Sequence, residues 1–328
     1  MDLDRLMERL LIALVILLAG PVAAQSPSAG FPNKPIRMIV PYPPAGPTDV
    51  VGRPMIEKLA ANMGVSVVAD WRPGGNTIIG TEAVAKSPPD GYTWLFTTFA
   101  HTTMPAMSKN LPYDPIEDFA GVAMVANFPS VAVIPTSIPA TSIAEFVNYA
   151  KAQAGGLSYA NAGAGSSTHL NTELFRMRAG FEMVPVPYKG QAPSIPDLIA
   201  GRIQFAFTSP ALAAPQVRAG KLRAIAVAAP KRTSLLPEVP TMAELGYPDA
   251  QVVAWFAILV PAKTPREIVS RINLEVARAI ADPEVVRRAE AGGVAIEAPL
   301  DPERIDAIIR TDIPKWKRWV KEMGIEPQ

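Results

Sequence analysis

The chain has 328 residues, 49% of them hydrophobic and 19% charged, with a formal net charge of +1 and no cysteine. That length and composition fit a globular protein of two domains. The near-neutral balance, with no basic cluster longer than two adjacent residues, argues against nucleic acid as a partner. The missing thiols exclude thiol catalysis, iron–sulfur clusters and cysteine–zinc sites.

The N-terminus carries "LLIALVILLAG" (10–20), an apolar run shorter than the roughly 20 residues a membrane helix needs. "PVAAQ" follows, with Val22 and Ala24 as small residues before a cut after Ala24, so residues 1–24 read as a secretory signal peptide. Its start, "MDLDRLMERL", holds three acids against two arginines, whereas a start at Met7 leaves the more usual "MERLL". Removing residues 1–24 takes away those two bases and three acids, which raises the formal charge from +1 to +2. Prolines number 35, roughly twice the usual share of about 5%. They separate apolar runs and read as rigid connections.

In the mature chain "IRMIV" (36–40) predicts a buried strand. "PYPPAGP" turns the chain, and Thr48 caps a helix to about Met63, stopped by Gly64 and kinked at Pro54. Strands follow at 65–70 and 93–98, with a short helix over 77–87 between them. After "LPYDPIEDFAG" the alternation restarts with a strand over 130–135 and a helix opened by the capping box Ser142–Glu145 and closed by Gly155. "LSYAN", a helix over 166–180, "EMVPVPY", "IQFAFT", "PALAAPQVRAG" and "LRAIAVA" carry it to residue 228. A strand over 252–261 and helices over 265–281, 283–291 and 302–323 complete the chain. Strand–helix alternation predicts an α/β protein with two mostly parallel sheets. Residues 25–127 supply only three clear strands, so the final third is expected to return to them. This gives one lobe from 25–127 plus 229–328, a second from 128–228, and a hinge with a cleft between them.

Two strand-to-helix loops stand in matching positions, "PYPPAGPTD" (41–49) and "NAGAGSSTH" (161–169). Ligands of parallel α/β sheets bind beyond the carboxyl ends of the strands, where helix starts expose unpaired N–H groups and attract anions. Gly163 and Gly165 allow close backbone approach, and Ser166, Ser167 and Thr168 can add hydrogen bonds. In the first loop Ala45, Gly46 and Thr48 can donate, but Pro47 has no N–H. Hydrogen bonds to a charged group contribute about 1.5–3 kcal/mol each. Four of them approach the roughly 8 kcal/mol of micromolar binding without an arginine. Only two histidines exist, His101 and His169. His169 lies near Ser166 and Ser167, which leaves a serine/histidine hydrolase as an alternative, but the Gly-x-Ser-x-Gly elbow is missing. There is no Gly-Lys-Ser/Thr phosphate loop, no dinucleotide fingerprint and no histidine pair at metal-binding spacing.

Seven segments, in order from Pro35 to the C-terminus, carry a family resemblance. They are "IVPYPPAGPTDVVGRPM", "WRPGGNTIIGTEAVAKSPPDGYTWLF", "LPYDPIEDFAGVAMV", "YANAGAGSSTHLNTELF", "VPYKGQAPSIPDLIAGRIQFAF", "AGKLRAIAVAAPKRTSLLPEVPTMAELGYP" and "PAKTPREIVSRIN". The chain resembles the extracytoplasmic solute receptors of tripartite tricarboxylate transporters, the Bug-type receptors. The resemblance implies a periplasmic binding protein of the two-lobed, type II-like Venus-flytrap form, a monomer without cofactor, metal or catalytic residues. It implies a small organic acid as ligand and the transporter's membrane permease subunits as partner, with a ligand-sensing receptor for a signalling protein as an alternative. Carried over, the two pincers are Tyr42, Ala45, Gly46 and Thr48, and Gly165, Ser166, Ser167 and His169. Thr98, His101 and Thr208 are expected to line the far end of the cleft. Ala45-Gly46-Pro47 replaces the family's usual glycine run. Thr208 stands where many relatives carry an Asp, which disfavours an amino-acid ligand there.

Overall fold

In chain order the elements are β1 (Ile36–Val40), α1 (Pro47–Met63), β2 (Val67–Trp71), α2 (Ile78–Ala85), β3 (Thr93–Thr98), α3 (Ala100–Met107) and β4 (Phe119–Phe128). Next come β5 (Ser130–Pro135), α4 (Ile143–Lys151), β6 (Leu157–Asn161), α5 (Ser167–Ala179), β7 (Met183–Pro187), α6 (Ile195–Ile199), β8 (Phe205–Thr208), α7 (Pro210–Arg218) and β9 (Leu222–Ala228). The chain ends with β10 (Ala254–Pro261), α8 (Arg266–Ile280), α9 (Pro283–Ala291), β11 (Ala295–Ile296) and α10 (Pro302–Glu322). This computed structural model describes residues 30–44, 47–153, 156–296 and 301–327. The signal-peptide segment 1–24, the first-loop residues Ala45 and Gly46, and the helix stop expected at Gly155 lie outside the described residues. Residues Pro32–Gln328 form one unit.

The strands make two sheets, ordered β11-β4-β10-β3-β1-β2 and β7-β6-β8-β5-β9. Pairs β1–β2, β1–β3, β6–β7 and β6–β8 are parallel. The remaining pairs are antiparallel, and each of them contains β4, β5 or β10. Both sheets are therefore mixed, which corrects the expectation of mostly parallel ones. The physical reason lies in the connections. Only Pro129 separates β4 in the first sheet from β5 in the second, and β10 then re-enters the first sheet against the direction of its neighbours.

β4 has no counterpart among the expected strands. Eight of its ten residues are buried, so the polar alternation that marks a one-sided strand is missing. It pairs with β10 over Phe119–Phe128 and gives the first sheet its width. Phe96, Phe128 and Phe256 form one aromatic cluster, with centroids 5.9 Å apart for Phe96–Phe256 and 6.1 Å for Phe128–Phe256. Gly52 places α1 on this cluster, since a Cβ there would lie 3.0 Å from Phe96 Cε1. In the second sheet, Phe205 stacks on Phe146 at 5.1 Å and on Phe175 at 5.8 Å. Full burial of one such side chain contributes about 1.5–3 kcal/mol.

Local signals are met closely where they concern caps. Ser142 Oγ accepts from Glu145 N at 3.2 Å, while the Glu145 carboxylate turns back to Thr141 N at 2.6 Å. Gly64, with φ +67°, closes α1 through a hydrogen bond to Ala60 O of 3.1 Å. The helix assignment continues across Pro54, which is buried.

Candidate functional site

The first loop leaves β1 and delivers Tyr42 to the end of β3, where its hydroxyl lies 2.6 Å from Thr98 Oγ1. Thr98 Oγ1 also accepts from Ala100 N at 3.2 Å. The two hydroxyls share one hydrogen bond between them, so one O–H remains to donate elsewhere. Burial raises the Tyr42 pKa, so the phenol stays protonated at neutral pH. α1 begins at Pro47, the position that tolerates a missing N–H. Thr48 is thus inside the first turn and is not the cap expected from the sequence. Its hydroxyl is buried and makes no hydrogen bond among the described residues.

The second loop is tied down by its own side chains. Asn161 Oδ1 accepts from Gly163 N at 2.9 Å, and Thr168 Oγ1 accepts from Ala162 N at 3.0 Å. Gly163 and Gly165 adopt φ of +110° and +76°, which other residues reach only with strain. Ser166 is the N-cap of α5, its Oγ accepting from His169 N at 3.3 Å. With that cap in place, the amides of Ser167 and Thr168 keep no partner within the helix. They form an open pair of donors at a helix start.

His169 is fixed from two directions. Its Nδ1 accepts from Gly165 N at 3.1 Å, so the ring proton sits on Nε2, and the ring lies nearly parallel to Tyr159 at 6.4 Å. Burial lowers the His169 pKa, which keeps the ring neutral at neutral pH. Beneath it Tyr159 donates to Glu173 Oε1 at 2.6 Å, and Arg176 holds the other Glu173 oxygen. No hydrogen bond joins the His169 ring to Ser166 or Ser167 among the described residues. The nucleophile–base contact of a hydrolase is therefore not formed here.

The two loops meet through α3, which begins just after Thr98. A Cβ built on Gly165 would lie 3.2 Å from Met107 Cγ, so the second loop rests against the far end of that helix. Trp255 Nε1 is a further buried donor without a partner among the described residues, and the buried Thr97 hydroxyl on the neighbouring strand faces the Tyr42 phenol. Thr97 pairs with Ala257, two residues from Trp255, and so shares its face of the sheet.

Two further expected residues have their polar atoms engaged by neighbours outside the two loops. His101 Nε2 donates to Pro115 O at 2.8 Å, and its ring packs edge-on against Phe119 at 4.9 Å. Burial drives its pKa down to about 4. Thr208 is fully buried at the end of β8, its hydroxyl 3.4 Å from Gln191 Oε1, which also accepts from Ser209 N at 2.8 Å. Sequence reasoning missed Met107, Gln191 and Asn161. Only Asn161 carried a local signal, as Asn before a small-residue turn.

The model of the Tripartite tricarboxylate transporter family receptor matches residues 51–325. The chain belongs to this family. BugT of Bordetella pertussis is 35% identical to the receptor over 321 residues, covering 97% of this chain and 98% of BugT. Among solved structures, Rpa4515 of R. palustris with adipate superposes on it with a TM-score of 0.79 at 33% identity, covering 91% of this chain and all of that one. MatC of Rhodopseudomonas palustris with bound malate gives 0.76 at 28% identity, covering 88% of this chain and 100% of MatC. The receptor thus has the two-sheet architecture of periplasmic binding proteins and the role of a solute receptor.

Proposed function

We propose that this receptor holds a small organic carboxylate between two lobes, 25–127 plus 229–328 on one side and 128–228 on the other. The observation that carries this reading is the capped start of α5, where Ser166 satisfies His169 N and leaves the Ser167 and Thr168 amides open. One carboxylate oxygen reaches those amides, joined by the Nε2–H of His169. Tyr42, Ala45, Gly46, Thr48 and Thr98 supply the opposing donors from the first lobe. Adipate and malate in two structural relatives support an acid as the ligand class. Two or three hydrogen bonds from each side, at about 1.5–3 kcal/mol each, suffice for micromolar affinity.

The receptor acts in the periplasm as a monomer, after its leader is cut near Ala24, and without catalysis. It passes its acid to the permease subunits of the transporter, which recognise the closed form. Calorimetry of the folded protein against adipate, malate, citrate, benzoate and nicotinate tests the reading. Saturable heat with at least one acid is expected, and no heat with any of them overturns it.

A further inference from the structure

On the connections between the sheets lies a cavity of about 240 Å³ that none of the pincer residues lines. Its walls come from both passages of the chain between the sheets. Asn127 and Pro129 belong to the first passage, Lys231, Ser234 and Val253 to the second, and Glu290 to the end of α9. The wall after α9 is seated firmly on the second sheet's side. Gly293 has φ +75°, and a Cβ there would lie 2.9 Å from Ala211 N at the start of α7.

The charges of this cavity are distributed unevenly. Arg232 is fully engaged, with Nε 3.1 Å from both Glu244 oxygens and Nη2 2.9 Å from one of them. The side chains of Lys231 and Glu290 make no hydrogen bond or ion pair among the described residues, either with each other or with a third group. One cation and one anion, both exposed to solvent, therefore border the same open pocket without a protein partner among the described residues. Pro129 and Val253 supply apolar wall between the polar groups.

We propose that this cavity is a second binding site, for a small zwitterion of the α-amino-acid class. The ligand carboxylate meets Lys231 and the Ser234 hydroxyl, its ammonium meets Glu290, and a short side chain lies on Pro129 and Val253. A molecule carrying one charge satisfies only half of the site. This proposal does not rest on the pincer reading, because the two sites share no residue. A ligand here touches both passages between the sheets.

The test is calorimetric titration of the full chain with L-alanine, with acetate and ethylamine as single-charge controls. L-alanine is expected to saturate, and each control to bind at least about tenfold more weakly, a difference of about 1.4 kcal/mol. Lys231→Ala and Glu290→Gln are each expected to weaken L-alanine at least about tenfold with an unchanged melting temperature, whereas Ser166→Ala leaves it unaltered. The proposal is overturned by any of three results: no saturation, L-alanine affinity in the two cavity variants unchanged from that of the unaltered chain, or a loss in Ser166→Ala as large as in Lys231→Ala.

Discussion

Asn171 holds the backbone of Val252 with both ends of its amide. Nδ2 donates to Val252 O at 3.1 Å, and Oδ1 accepts from Val252 N at 2.5 Å. Asn171 is fully buried on α5, and Val252 lies just ahead of β10 on the second passage between the sheets. Asn171→Ala strands two buried backbone groups and is expected to cost about 2–4 kcal/mol, read as a lower midpoint in urea unfolding.

Ser166 caps α5 beside the amides proposed to hold the acid, and its substitution separates stability from binding. Ser166→Ala removes the acceptor of His169 N and is expected to cost about 1 kcal/mol of stability. Carboxylate affinity is expected to fall by a further 1–3 kcal/mol or so, because the helix start loses its order together with a donor. Calorimetry at a temperature well below unfolding reads the second effect without the first.

Thr48 gives opposite signs in the two measurements. Its hydroxyl is buried and unpartnered in the free protein, so Thr48→Val is expected to leave stability unchanged or raise it by up to about 1 kcal/mol. Acid affinity is expected to fall about tenfold, since a bound carboxylate would meet a methyl group instead of O–H. Parallel melting and titration curves check the pair of signs.

At Gly165 two separate costs meet. Gly165→Ala forces an L side chain to φ +76°, at about 1–2 kcal/mol, and also presses a Cβ toward Met107. In a double-mutant cycle Met107→Ala is expected to recover the contact part and none of the backbone part. Full recovery of stability in the double variant would contradict the left-handed geometry of this loop.

His101 sets an acid limit on stability. Its folded pKa is about 4 because burial penalises the imidazolium, against an unfolded value of about 6.5. Between those values the unfolded chain binds more protons than the folded one. The stabilisation is complete above pH 6.5 and declines as pH falls toward 4, by about 3 kcal/mol in all. His169, also lowered by burial, acts in the same direction. His101→Gln keeps a donor for Pro115 O, and urea midpoints measured from pH 7 to pH 4.5 are expected to slope less steeply in that variant.

Much of the fold and the second loop was legible because their signals are local. A cap such as Ser142 or Ser166, or a glycine at positive φ such as Gly64 or Gly165, acts within a few residues of itself. β4 was not legible, since a strand buried on both faces shows no alternation. Thr48 was misread as a cap because Pro47 already occupies the first helical position. His101 looked available as a lone polar ring after a strand, yet its partners Pro115 and Phe119 come from the next connection, which only the folded chain brings near. The clamp between Asn171 and Val252 spans 81 residues and leaves no pattern along the chain.

The place of β10 between β3 and β4 governs the order in which the molecule can be assembled. Until residues 254–261 have been synthesised, β3 has an open edge and β4 has neither of its neighbours, since β11 comes later still. A fragment ending at residue 228 contains every strand of the second sheet but cannot close the first. Truncation before β10 therefore leaves a ten-residue, largely apolar ribbon unpaired, a template for aggregation. A dissection that keeps 128–228 and discards both flanks avoids that hazard.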